Sequence, residues 1–189
     1  MSEVVKLRPP LKDADVTRLS VGDRVAIDGT IYGARDAAHK KMVDLLDAGK
    51  PLPVDLHGGI IYYVGPTPAP PGRAIGAAGP TTSGRMDAYA PRMYEYGVKA
   101  TIGKGYRAPA VVESLVKNRA VYLIAVGGLG ATLSGRIKAA KVIAYPELGT
   151  EALWEFKVED FPAIVANDSR GRDAYKEGQE VWAKKLAVA

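Results

Sequence analysis

A chain of 189 residues, 47% of them hydrophobic and 25% charged, is long and apolar enough to bury one core unaided, which excludes disordered and fibrous classes. It has no cysteine and only two histidines, His39 and His57, so disulfides, thiolate nucleophiles and a metal cluster held by its own sulfurs are excluded, and a self-contained zinc centre is disfavoured. The formal net charge of +5 is spread along the chain without a basic run interleaved with aromatics, a pattern that suits a small, multiply anionic substrate and carries no nucleic-acid signature.

The first residues, "MSEVVKLRPPLKDADV", lack the basic start, apolar middle and small-residue cleavage site of a secretory signal. Residues 24–34, "RVAIDGTIYGA", read as a strand rich in β-branched and aromatic side chains. Residues 35–51 read as a helix, because Ala38, Met42, Leu45 and Leu46 recur on one face and Gly49 followed by Pro51 stops it. A strand is expected at 59–65, then a proline- and glycine-rich stretch at 64–82 that precludes a helix and favours an extended connection over the surface. A helix beginning near Pro109 occupies 108–119, followed by a strand at 120–127. The apolar run containing that strand, "AVYLIAVGGLGATL", is too short and too broken by glycine to span a membrane. Strands are expected at 140–145, 152–159 and 162–168, and a helix at 171–188 with Ala174, Gly178, Val181 and Trp182 on one side. Neighbouring strands mixed with strand–helix alternation predict a single α/β domain over 1–189, with helices packed on a largely β core, in a soluble cytoplasmic protein.

Three turns share a form that bears on chemistry. In "GPTTSGRMDAYAPRMYEYG", Thr82 or Ser83 is a candidate helix N-cap. The same geometry offers free amides to an anion, and Arg85 in the first helical turn opposes the helix dipole, a placement that suits an anionic partner. "GTIYGARDAAHKKM" delivers Arg35 at a helix start; its bland reading is a solvated arginine, with Asp36 paired to Lys40 one turn on. His39 in that helix reads as a surface or supporting residue, there being no metal-ligand partner at suitable spacing. "ATIGKGYRAP" holds Lys104 between Gly103 and Gly105, which alone reads as an exposed hairpin tip. Together the three present cations on glycine-containing turns at strand ends, able to converge on one carboxylate ligand. "GGLGATLSG" at 127–135 lacks both G-x-G-x-x-G and G-K-[ST], so close backbone packing or a subunit contact explains its glycines better than a nucleotide site.

In order, "YGARDAAHKKM", "PVDLHGGIIYYVGP", "GPTTSGRMDAY" and "ATIGKG" resemble the C-terminal domain, or β subunit, of the class I iron-sulfur fumarate hydratase and L-tartrate dehydratase family, across residues 3–170. "GPTTSGRMD" is the most specific of these, although Ser83 stands where many relatives carry alanine or another small residue. The resemblance implies a swivelling β/β/α fold and a separate α subunit whose three cysteines hold a 4Fe-4S cluster, the two assembling as a dimer of heterodimers. It also implies that Arg35, Thr82, Arg85 and Lys104 bind a dicarboxylate and that Thr81 is the base removing the C3 proton, supported by Asp87 and His39. A threonine hydroxyl needs activation for that task, for which Asp87 is the expected acceptor. The implied reaction interconverts (S)-malate and fumarate. A tartrate dehydratase subunit, or a non-enzymatic module binding small anions or nucleotides, are the alternatives.

Overall fold

The computed structural model describes residues 3–187. Among them seven strands make one mixed sheet. β1 (Val5–Leu7), β2 (Arg24–Gly33), β3 (Ile60–Tyr62), β4 (Ala100–Gly103) and β5 (Val121–Ile124) lie side by side and parallel. β6 (Ile137–Ala144) pairs antiparallel with β7 (Leu153–Asn167), and β7 is also antiparallel to β5 and to β2. The double pairing of β7 closes β2, β3, β4, β5 and β7 into a ring, with β1 and β6 flanking it. The α/β architecture expected from the sequence is present, and its β core is a small barrel.

Closure depends on the length of β7, a region that reads from sequence as two strands, 152–159 and 162–168. Instead one 15-residue strand bends at Asp160, which adopts a left-handed φ of 48° and donates its N–H to Asp28 Oδ1 at 2.7 Å. Opposite it, the register of β2 shifts between Ile27 and Gly29. A bulge of this kind adds local twist, which lets β7 pass from β2 to β5 without losing its ladder. β4 and the short β1 were outside the sequence reading: "ATIG" is short, and half of it is small residues that carry little strand signal.

Alternation along the parallel strands sorts two apolar layers. Ile60, Tyr62, Ile102, Val121 and Leu123 point into the barrel with Ile27, Phe156 and Phe161. Ile61, Tyr63 and Tyr122 point outward beneath α2 (Asp36–Asp47), α3 (Ala90–Tyr96) and α4 (Pro109–Asn118). α2 buries Ala38 and Met42 as its periodicity predicts and ends before Gly49, whose φ of 65° a glycine adopts without strain. The connection after β3 is exposed from Thr67 to Ala74, as expected, but then returns to the core through Ile75 and Ala78.

The chain continues through two short helices, α1 (Asp13–Thr17) and α5 (Gly130–Ser134), and ends in α6 (Ala174–Leu186). The side of α6 bearing Val181 and Trp182 does not pack on the domain: those residues are 50% and 62% exposed. No described element lies over that face, and the helix is held by its first turn, where Asp173 accepts from the N–H groups of Tyr175 and Lys176. Val188, the end of the expected helix, lies outside the described residues. Among the described residues no helix is long and apolar enough to cross a membrane.

Candidate active site

Because β2, β3, β4 and β5 are parallel, the turns that follow them gather at one edge of the sheet, where open α/β folds present functional groups. Arg35 follows β2, Tyr63 to Gly65 follow β3, Lys104 follows β4, and the glycine-rich turn at 127–130 follows β5. Segment 81–83 is inserted among them as an extra extended stretch. Thr81 donates its N–H to the Tyr63 carbonyl at 2.8 Å, while its own carbonyl accepts from the Lys104 N–H at 3.2 Å. Ser83 N–H then donates to the Lys104 carbonyl at 2.9 Å, giving a parallel bridge between Thr82 and Lys104. Segment 81–83 thus takes the place that β3 would occupy had it continued beside β4.

That close approach explains the local residue types. A Cβ at Gly103 would overlap Ser83 Oγ, so only glycine admits the segment without rearrangement. Ser83 Oγ bonds inward to the Tyr122 hydroxyl at 2.8 Å, and Tyr122 donates to the Gly105 carbonyl at 3.0 Å. The expected capping is therefore corrected. Thr82 occupies the N-cap position of a one-turn 3-10 helix, Ser83–Met86, without a side-chain capping bond, and the Ser83 hydroxyl is spent on Tyr122. Lys104 is likewise no hairpin tip, since its backbone is bonded on both sides to segment 81–83.

The structure thereby joins Thr81, Thr82 and Lys104, with Arg85 on the helical turn that continues the same segment. Thr82, Arg85 and Lys104 are exposed and Thr81 is half-buried. Among the described residues neither Arg85 nor Lys104 has a carboxylate partner, whereas Arg35 does: its Nη2 lies 3.1 Å from Glu151 and 3.5 Å from Asp36. Asp36 is thus held by Arg35 and not by Lys40, which pairs with Asp44 at 2.7 Å. The Arg35 guanidinium rests over Gly65, where a Cβ would come within 3.2 Å of Nη1.

His39 is not a surface residue. It is fully buried, edge-on to Tyr63 with ring centroids 5.3 Å apart, and its Nδ1 donates to the Arg35 carbonyl at 2.8 Å. Since a carbonyl only accepts, Nδ1 carries the proton, leaving Nε2 bare and without a partner. Burial lowers its pKa to about 4, so the ring is neutral and fixes the start of α2.

Asp87, expected to activate Thr81, makes no hydrogen bond to the Thr81 side chain among the described residues. Its two oxygens are taken by Arg107 Nε and the Ala108 N–H, each at 2.7 Å. Arg107 itself escapes a sequence reading, because a lone arginine in a turn before Pro109 looks solvated. Its side chain is wholly buried, over the rings of Tyr63 and Tyr122 at 5.4 and 4.8 Å. Burial opposes its charge, but Tyr63, Tyr94 and the Asp87 carboxylate outweigh that and hold its pKa above the usual guanidinium value. Of the glycines at 127–130, Gly130 serves close packing, lying against the Gly79 backbone with its carbonyl accepting from Ala78 N–H at 3.0 Å, whereas a Cβ at Gly128 would meet no neighbour and that glycine supplies a left-handed φ of 83°.

Residues 1–178 match the family model described as fumarase C-terminus. The chain belongs to that family. Within it, the chain is 41% identical over 175 residues to fumarate hydratase 2 of Leishmania major and 40% identical over 177 residues to the anaerobic class I fumarate hydratase of Escherichia coli K12. These alignments take in 90% and 92% of this chain but 31% and 32% of the relatives, so the chain spans about a third of their length. A Methanocaldococcus jannaschii protein, provisionally named L(+)-tartrate dehydratase subunit beta, is 37% identical over 182 residues, which make up 93% of each chain.

Proposed function

We propose that this chain is the β subunit of a two-component hydro-lyase, binding a C4 dicarboxylate for the interconversion of (S)-malate and fumarate. The observation that supports this reading is the Thr82–Lys104 bridge, which brings Lys104 beside Thr81, with the exposed Arg85 following on the same segment and neither cation paired to a carboxylate among the described residues. Names of relatives support the reaction class: the Leishmania major and Escherichia coli proteins are fumarate hydratases, and the Methanocaldococcus jannaschii protein is named as a beta subunit.

Dehydration of malate removes a proton from C3 and hydroxide from C2, leaving fumarate and water. As the C3–H bond breaks, charge passes into the adjacent carboxylate, so cations held there stabilise the transition state more than the ground state. Arg85 and Lys104 fill that role, and each charged hydrogen bond contributes about 1.5–3 kcal/mol. Arg35 completes the clamp by turning part of its guanidinium from Glu151 to substrate. Thr81 Oγ1 accepts the C3 proton as an alkoxide, its own hydroxyl proton having passed to water with the same cations stabilising the negative oxygen, while Asp87 is engaged by Arg107 and Ala108.

A 4Fe-4S cluster does not fit this chain. It has no cysteine, and among the described residues no group of three His, Asp or Glu side chains is arranged to hold a metal. The reading therefore assigns the cluster to a cysteine-bearing α subunit that covers the exposed face, within a dimer of heterodimers.

The test is anaerobic assembly with such a partner, followed by assay of fumarate formation from (S)-malate. Turnover is expected from the complex and none from either chain alone; full activity of the isolated chain without iron would sink the proposal. The end-to-end match to the Methanocaldococcus jannaschii subunit favours one second reading, dehydration of tartrate, and oxaloacetate formation from tartrate by the same complex identifies it.

A further inference from the structure

Arg107 lies beneath the exposed face, and the roles proposed above leave it unused. It touches Asp87 at the end of segment 81–87 and two of the residues that anchor the segment, Tyr63 and Tyr122. Its Nε donates to Asp87 Oδ1 at 2.7 Å, and Asp87 closes the short helical turn that bears Arg85. Its Nη1 lies 3.4 Å from the hydroxyls of Tyr63 and Thr101, and the Tyr63 carbonyl receives the Thr81 N–H. The guanidinium plane also covers Tyr122, whose hydroxyl holds Ser83. Asp87 carries the linkage further by accepting from Ala108 N–H at the start of α4.

Stability alone accounts poorly for such a group. Buried ion pairs are often replaceable by apolar side chains of similar volume without loss, and here Nη2 remains buried without a partner. What an apolar side chain cannot supply is a rigid planar fork that meets a carboxylate and two hydroxyls at set angles. We infer that Arg107 is a positioning residue, which through Asp87, Tyr63 and Tyr122 holds segment 81–87 so that Thr81 and Arg85 keep a fixed place relative to Lys104. The catalytic consequence rests on the hydro-lyase reading above; the structural consequence does not.

The expected signature follows from what the segment carries. Displacing Thr81 by about 1 Å lowers the rate by about 10²-fold, because proton transfer demands near-contact geometry. Substrate binding suffers less, since Arg85 and Lys104 keep long, exposed side chains that follow the ligand.

Arg107→Met and Asp87→Asn are compared with the unaltered protein in two measurements. In the purified full chain, amide hydrogen exchange at Thr81 and Ser83 is expected to quicken about tenfold or more, while the β2–β7 ladder keeps its rates. In the complex with the cysteine-bearing partner, kcat is expected to fall about 10²-fold with KM within about threefold. Asp87→Asn keeps the volume of a partly exposed side chain and serves if Arg107→Met does not fold. Unchanged exchange at Thr81 and Ser83, equal acceleration throughout the β2–β7 ladder, or a loss carried wholly in KM would each overturn the assignment. A complex of unaltered chains without turnover marks failure of the hydro-lyase reading instead, and the exchange comparison then decides alone.

Discussion

A single methyl group added at Gly103 tests whether the seam between β4 and segment 81–83 is as tight as its geometry indicates. Gly103 has no left-handed φ, so alanine meets no backbone penalty there, and the smaller entropy of the unfolded chain favours it by about 0.4–1 kcal/mol. Opposing this, the new Cβ would overlap Ser83 Oγ and lie 2.9 Å from Tyr63 Cδ2. Neither neighbour has room to retreat, because Ser83 is tied to Tyr122 and the buried Tyr63 ring is covered by Arg107. Overpacking costs about 1–3 kcal/mol and a broken Ser83–Tyr122 hydrogen bond about 1 kcal/mol, for a net loss of about 2 kcal/mol. In a chain of this size that lowers Tm by about 4–8 °C in a thermal denaturation scan. Gly84→Ala is the control: its added Cβ meets nothing within 4 Å, and stability should hold within about 0.5 kcal/mol. Ser83→Ala removes the overlapping oxygen, so the Ser83→Ala/Gly103→Ala protein should lose less than the two single losses combined, by about 1 kcal/mol. An unchanged Tm in Gly103→Ala, or plain additivity in the double variant, would refute the packing argument.

Lys104→Met in the assembled complex should lower kcat/KM by about 10²-fold, as expected for removal of a charge-stabilising donor. Since Lys104 is exposed and has no ion-pair partner among the described residues, denaturation of the free chain should be unchanged within about 0.5 kcal/mol. His39 has a folded pKa of about 4 against 6.5 in the unfolded chain, so the unfolded state binds more protons between those values. Its contribution is complete above about pH 6.5 and is lost as pH falls toward about 4, a change on the order of 3 kcal/mol. Urea titrations across that range should slope less for His39→Gln than for the unaltered chain, and equal slopes would count against the buried neutral ring. Asp173→Ala removes the cap of α6 and should cost about 1 kcal/mol. The loss should show as faster exchange at the Tyr175 and Lys176 amides, with the barrel unaffected.

Helices α2, α4 and α6 and most strands follow from local pattern, whereas α1 was not read and α3 begins at Ala90, later than the Thr82 or Ser83 cap implied. The periodic apolar face of α2, its glycine stop and the proline that starts α4 are written in neighbouring residues, and the structure honours them. The union of β7 was hidden because Asp160 and Pro162 read as a break, when a bulge in β7 itself, with Glu159 and Asp160 opposite Asp28, lets one strand pass through it. Candidate residues were recognisable as cations on glycine turns, but their partners were not. Asp87 sits near Thr81 in sequence and is claimed by Arg107, while His39, on a helix that reads as half-solvated, is sealed beneath Tyr63.

By itself the sequence determined the α/β class, the lack of thiolate ligands and the order of the cationic turns, because these depend on composition and short-range spacing. Only the tertiary structure decided which cations are left without carboxylates, which hydroxyls are committed inward, and that Arg107 underlies the site. Those outcomes depend on which strand ends become neighbours when the barrel closes, a long-range pairing that no local stretch of residues encodes.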